Sequence, residues 1–240
     1  MKNTKKRVFV IALAVCLLAI ISMGTLAWFV DSDSVENKFY IADSTDTEAD
    51  DIFSVEVFER VDLDEDGVKD SALFENGMEY KDILPGDKLV KEPVVRNTGY
   101  YDQYVRVIVT ISDAEAWLNA IEIPEGATPE AVAAQIFGGL DLSKWTHVWN
   151  NLSEATEMPE DLVYVLYYKD ILKAGEDLVV FETFNVPTYF DQEDAAAFAG
   201  GFTIDVKAQA VQTENVGAET VADADKAWKA FDTVGIGIAD

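Results

Sequence analysis

From Gln103 to Ser112 the chain reads QYVRVIVTIS, in which Val105, Val107, Val109 and Ile111 form one apolar row. Tyr104, Arg106, Ile108 and Thr110 take the alternate positions. A period of two belongs to a β-strand with one face in a core, so this stretch constrains the fold class more than any other. Five more runs share its β-branched and aromatic character: FSVEVFERV (53–61), LVKEPVVRN (89–97), LVYVLYYK (162–169), LVVFETFNV (178–186) and FTIDVKAQAVQ (202–212). An earlier one is NKFYI (37–41), and turn signals such as KAGED and GG separate the later ones. In 53–61 both faces are partly apolar, because Val55, Val57 and Glu59 alternate with Glu56 and Phe58.

Two stretches between the strands carry helical signals, DAEAWLNAIEI (113–123) and TPEAVAAQIFGGL (128–140). The second has Thr128 as N-cap, Pro129 in the first turn and a stop at Gly138-Gly139. A last helix, ETVADADKAWKAF (219–231), would set Val221, Ala224, Trp228 and Phe231 on one face. Many short strands without a βαβ rhythm predict a mostly β fold. We expect an antiparallel β-sandwich, jelly-roll-like, with helical insertions near 113–140 and a C-terminal helix near 219–231. A single domain would occupy residues 28–240.

Before it stands a leader. MKNTKKR is basic, VFVIALAVCLLAII (8–21) is apolar, and SMGTLA ends in the small residues Thr25 and Ala27. Residues 1–27 therefore read as a helical signal peptide. Counted from Val8 to Val30 the run just reaches bilayer-spanning length, so an uncleaved anchor is the alternative; Ser22, Gly24 and Thr25 interrupt it, and no basic cluster follows Val30. The one cysteine, Cys16, lies inside the leader behind Val15, which does not suit a lipidation site, and the mature chain has none to form a disulfide.

Charge narrows the partners. The chain has 18 Lys and Arg against 45 Asp and Glu, and the leader carries four of the bases and no acid. Such a surface repels phosphate backbones and anionic headgroups, which excludes nucleic acid and leaves the leader as the only membrane contact. It attracts multivalent cations. At 49% hydrophobic residues the chain is nevertheless too apolar for an acidic disordered tail.

The motif with most chemistry is DLDEDGVKD (62–70). Asp62, Asp64 and Asp66 would converge on one Ca²⁺, Gly67 permits the turn, Val68 would offer its carbonyl and Asp70 would act through water. Leu73 stands where a bidentate Glu should close the loop, and Glu75 lies two places too far. Binding would be weak, and a solvated Asp-Gly hairpin turn explains the same residues. His147, the only histidine, sits in WTHVWNN without an H-E-x-x-H pattern and reads as a strand residue. No G-x-S-x-G or phosphate-binding glycine loop occurs, so no catalytic residue is assigned. The tyrosines of YYDQY and YVLYY suit a sugar-stacking face, although on strands such rings serve more often as core and cross-strand pairs.

GTLAWFVDSDSVENKFYIAD (24–43), through Gly24, Thr25, Ala27, Phe29 and Asp31, resembles the leader and mature start of the TasA/camelysin family of secreted Gram-positive proteins. So do the stretch 80–112 with its L-P-G-D and N-T-G turns, the stretches 167–187 and 202–216, and the late Ala227-Trp228. The resemblance implies processing by a SipW-type signal peptidase at Ala27/Trp28 or Trp28/Phe29. It implies a non-enzymatic protein of extracellular matrix fibres or a surface layer, partnered by itself and by other matrix proteins. A camelysin-type surface metallopeptidase and a calcium-dependent adhesin are the alternatives. Cleavage would free a donor strand, with Phe29, Val30, Phe39 and Ile41 as its apolar residues, for a neighbour's open sheet edge. The rival is that this strand folds back on its own domain.

Overall fold

The computed structural model describes residues 30–34, 53–61, 70–72, 80, 83–121, 127–152, 159–188 and 201–238. The leader 1–27, the cleavage positions Ala27 and Trp28, the donor positions Phe29, Phe39 and Ile41, and Asp62, Asp64, Asp66 and Val68 lie outside them. Among the described residues no helix is long and apolar enough to cross a membrane.

The alternating run is the strand β6 (Gln103–Ile111), and its row Val105, Val107, Val109 and Ile111 is completely buried. It stands at the centre of a five-stranded sheet with β1 (Val30–Ser34), β12 (Ile204–Gln212), β9 (Leu162–Tyr168) and β8 (Trp145–Asn150), in the order β1-β12-β6-β9-β8. A second sheet, ordered β10-β5-β2-β3, is built from β10 (Asp177–Val179), β5 (Glu92–Asn97), β2 (Val55–Val61) and β3 (Asp70–Ala72). A third, small sheet joins β4 (Lys88–Val90), β11 (Thr183–Asn185) and β7 (Phe137–Gly138). Every pairing is antiparallel. The molecule is an antiparallel β-sandwich with helical insertions, and its first described strand lies beside its last.

The core between the sheets takes Val55 and Val57 from β2, Val95 from β5, the β6 row, and Leu162, Tyr164 and Leu166 from β9. Each such residue contributes about 1.5–3 kcal/mol by leaving water. Two helices close the sandwich: α1 (Ala114–Ala120), whose buried Trp117 meets Phe184 and Phe202 edge to face at 5.1 and 5.0 Å, and α2 (Pro129–Ile136). Thr128 caps α2 as expected, its Oγ1 accepting a hydrogen bond from the Ala131 amide. The helix ends at Ile136, earlier than the glycine pair. Phe137 leaves it to stack on Phe181 at 4.8 Å, and with Gly138 it becomes β7.

Two expected single strands are each divided between sheets. LVKEPVVRN breaks at Lys91 into β4 and β5, and LVVFETFNV breaks after Val179 into β10 and β11. The two bend together: β5 pairs with β10, β4 pairs with β11, and the Val180 amide donates to the Pro93 carbonyl between them. One antiparallel ribbon thus turns the corner from one sheet to the next.

The C-terminal helix is also shorter than expected. Turns of 3-10 type at Ala218–Thr220 and Asp223–Asp225 precede α3 (Lys226–Val234). These interruptions change the helical phase, so the buried face is Ala227, Ala230 and Phe231, while Ala224 is exposed and Trp228 is 41% exposed. Together with Val216 and Ala218 that face covers Tyr104, Ile108, Val165, Tyr167 and Val211 on the outer side of the five-stranded sheet. The molecule therefore has a second apolar layer outside the sandwich.

Candidate functional site

β12 has an alternating sequence in which Val206, Ala208 and Ala210 join the sandwich core and Val211 joins the outer cluster. On one side it pairs with β6 over its whole length, from Ile204 opposite Ile111 to Gln212 opposite Gln103. On the other side it would present an open edge but for β1. That strand covers five residues, with Val30 opposite Val211, Asp31 opposite Ala210, Ser32 opposite Gln209, Asp33 opposite Ala208 and Ser34 opposite Lys207. Of the donor positions only Val30 is described, and it pairs with a strand of its own chain. The rest of β1 is the polar stretch Asp31–Ser34, and Phe29, Phe39 and Ile41 lie outside the described residues. β12 was legible as a strand, but its place between β1 and β6 was not, because which strands lie side by side depends on the whole sheet order.

The opposite edge of this sheet is built differently. β8 pairs with β9 at Trp145 and Thr146, loses register, and resumes at Trp149. His147 lies at the irregularity with φ of 48°. Its Nε2 is 2.8 Å from Asp225 Oδ1, and its ring stacks on Trp228 at 5.5 Å. A bulge of this kind twists the edge away from a pairing partner. His147 is thus a strand residue, as expected, but one whose irregular backbone blunts an edge.

Asp70, the one described member of the acidic motif's proposed ligands, opens β3 and pairs with Val61 across the hairpin. Val61 and Asp70, the residues that flank the rest of the acidic run, are therefore adjacent. Among the described residues no three of His, Cys, Asp and Glu gather to hold a metal ion. The tyrosines divide: Tyr104, Tyr164 and Tyr167 are buried, whereas Tyr100 and Tyr101 are 72% and 62% exposed on the β5–β6 loop. That loop is held by Asn97, whose Nδ2 donates to the Tyr101 and Leu172 carbonyls and whose Oδ1 accepts from the Gly99 amide.

Sequence reasoning missed three charged arrangements. Glu59 continues the inward phase of Val55 and Val57, and its Oε1 accepts from the Lys91 ammonium inside the sandwich. Burial first, and the Glu59 charge second, push the nearby Tyr80 hydroxyl well above the ordinary phenol range. On the outer face, Asp177 is held by Arg96 at 2.6 Å and Arg60 at 2.6 Å, and Arg96 lies over the Phe58 ring at 4.7 Å. Arg106, on the outer row of β6, is 2% exposed. An interior Lys or Arg in phase with apolar neighbours was the available signal for the first and third. Comparison with protein-family models, with curated proteins and with solved structures finds no match to this chain.

Proposed function

We propose that this protein is a secreted structural subunit of extracellular fibres or a surface layer, and that copies join through the N-terminal strand. The observation that supports this reading is the pairing of Val30–Ser34 along β12. The segment just after the expected cleavage positions occupies an edge through backbone hydrogen bonds, in a register that uses the small Ala208 and Ala210 positions. The same N–H and C=O groups are satisfied equally by β1 of a second copy, so exchange leaves the edge bonds intact and trades only association entropy against the linkage gained. Each copy then has one donor strand and one acceptor edge, while the other edge of the sheet is blunted at His147. Head-to-tail repetition of one such contact gives an open filament where its rotation does not close into a ring. The whole chain's formal net charge of −27 becomes 14 − 45 = −31 once the leader's four bases are removed, which holds copies apart at low ionic strength, so screening promotes growth.

Until the leader is cut, residues 28–30 continue an apolar segment and have no access to a neighbour's edge. Secreted protein is expected to begin at Trp28 or Phe29, and recovery of only Met1-containing protein in membranes would contradict the reading. The decisive comparison uses protein expressed directly from residue 28, with and without residues 28–38. The deletion should stay folded by circular dichroism and lose filaments under the electron microscope. Filaments of equal abundance from both proteins would remove the donor strand from the account.

A further inference from the structure

We propose that residues 213–238 form a lid latched by Arg106, and that this lid controls how firmly β12 holds β1. The last step rests on the reading of β1 as an exchangeable strand. After Gln212 the chain turns back over its own sheet through two left-handed residues, Asn215 with φ of 60° and Gly217 with φ of 70°. It then lays Val216, Ala218, Ala227, Ala230 and Phe231 over the outer row of the sheet. A cover made from one contiguous terminal stretch leaves the sandwich core intact when it lifts, which is the arrangement that opens as a local unit.

Arg106 bridges the sheet and this cover. Its Nε donates to Gln209 Oε1 at 2.6 Å and its Nη1 to the Tyr167 hydroxyl at 3.3 Å, both from the sheet. Its Nη2 donates to the carbonyls of Ile236 at 3.1 Å and Gly237 at 2.6 Å, both from the tail, and the guanidinium lies 4.5 Å from the Phe231 ring centroid. No carboxylate among the described residues forms an ion pair with it. The carbonyl end of α3 and the residues after its Gly235 cap meet the guanidinium with negative potential, where the helix dipole favours a cation. Docked tail and buried cation therefore depend on each other: lifting the tail hydrates the guanidinium, and reseating it requires the guanidinium in place. The second tie, from His147 to Asp225 and Trp228, is between half-exposed groups and holds less.

The lid reaches β1 through β12. Val211, packed under the lid, is the residue opposite Val30, and Gln209, which orients Arg106, is the residue opposite Ser32. Opening the lid strips support from the two β12 positions that hold the first half of β1.

Hydrogen exchange read by mass spectrometry on the mature protein tests this. Two variants are compared with wild type: Arg106→Gln, and a chain ending at Gly235, which keeps Arg106 but lacks its carbonyl acceptors. Both should exchange roughly 10- to 100-fold faster over 216–234 and over 30–34, the loss expected from one or two hydrogen bonds to a charged group. Exchange in β2 and β5 of the opposite sheet should stay within about twofold, as regional opening requires. Unchanged protection of 216–234 in the truncated chain, an equal loss in β2 and β5, or a loosened lid with β1 still protected would each overturn the proposal. Filament counts from the same proteins test the fibre reading separately. If wild type forms none, that reading fails, and the exchange pattern still decides the latch.

Discussion

The buried pair inside the sandwich gives a stability prediction that separates charge pairing from packing. Lys91 and Glu59 side chains are 9% and 2% exposed, and Glu59 Oε2 has no hydrogen-bond partner among the described residues. Lys91→Met keeps most of the aliphatic volume and removes only the ammonium. Glu59 is then left as an uncompensated buried charge, which costs about 3–5 kcal/mol. At roughly 2–4 °C per kcal/mol for a chain of this size, the melting temperature should fall by roughly 6–20 °C. Adding Glu59→Leu removes the stranded carboxylate, and a well-packed apolar pair is commonly neutral or better than the ion pair by about 1–4 kcal/mol. The double variant should therefore recover to wild-type stability or above it. Urea unfolding followed by tryptophan fluorescence measures all three, provided the slope against denaturant stays constant across them. A single variant that loses less than about 1 kcal/mol, or a double variant no more stable than the single, would refute the reasoning.

Two further outcomes are expected. The hydrogen bond from Arg96, followed by the Arg96 and Arg60 charges, holds the Asp177 carboxyl below its ordinary value of 3.8. A depressed folded value means this stabilisation is complete above pH 3.8 and is lost as the pH falls through the lowered folded value. Asp177→Asn should therefore cost on the order of 1–2 kcal/mol at pH 7, discounted for partial exposure, with the gap to wild type closing in strong acid; a gap that persists at low pH would contradict it. For the acidic motif at 62–70, millimolar Ca²⁺ should raise the melting temperature more in wild type than in Asp64→Ala, by about 1.4 kcal/mol of linkage where calcium is tenfold above its dissociation constant. Equal shifts in both proteins would return the loop to a plain hairpin turn.

Local sequence carried the parts of this fold that local physics decides. The β6 row, the Thr128 cap, the turn at Pro85-Gly86 and the Asn97-to-Gly99 turn depend on residues within a few positions of each other, and each stands as the sequence implied. The leader, the acidic loop and most of the donor positions were sequence readings that fall outside the described residues. What local sequence did not carry is which strand lies beside which, and what covers the second face of a sheet. Lys91 becomes an interior partner of Glu59 only because an antiparallel ribbon turns a corner there. Arg106 and Ile108 occupy the row that alternation assigns away from the sandwich core, and they are buried nonetheless. The chain returns more than one hundred residues later to cover them. Periodicity reports that a face has a given polarity; whether water or a distant segment meets that face is settled by contacts between parts of the chain that carry no mark of each other in their local sequence.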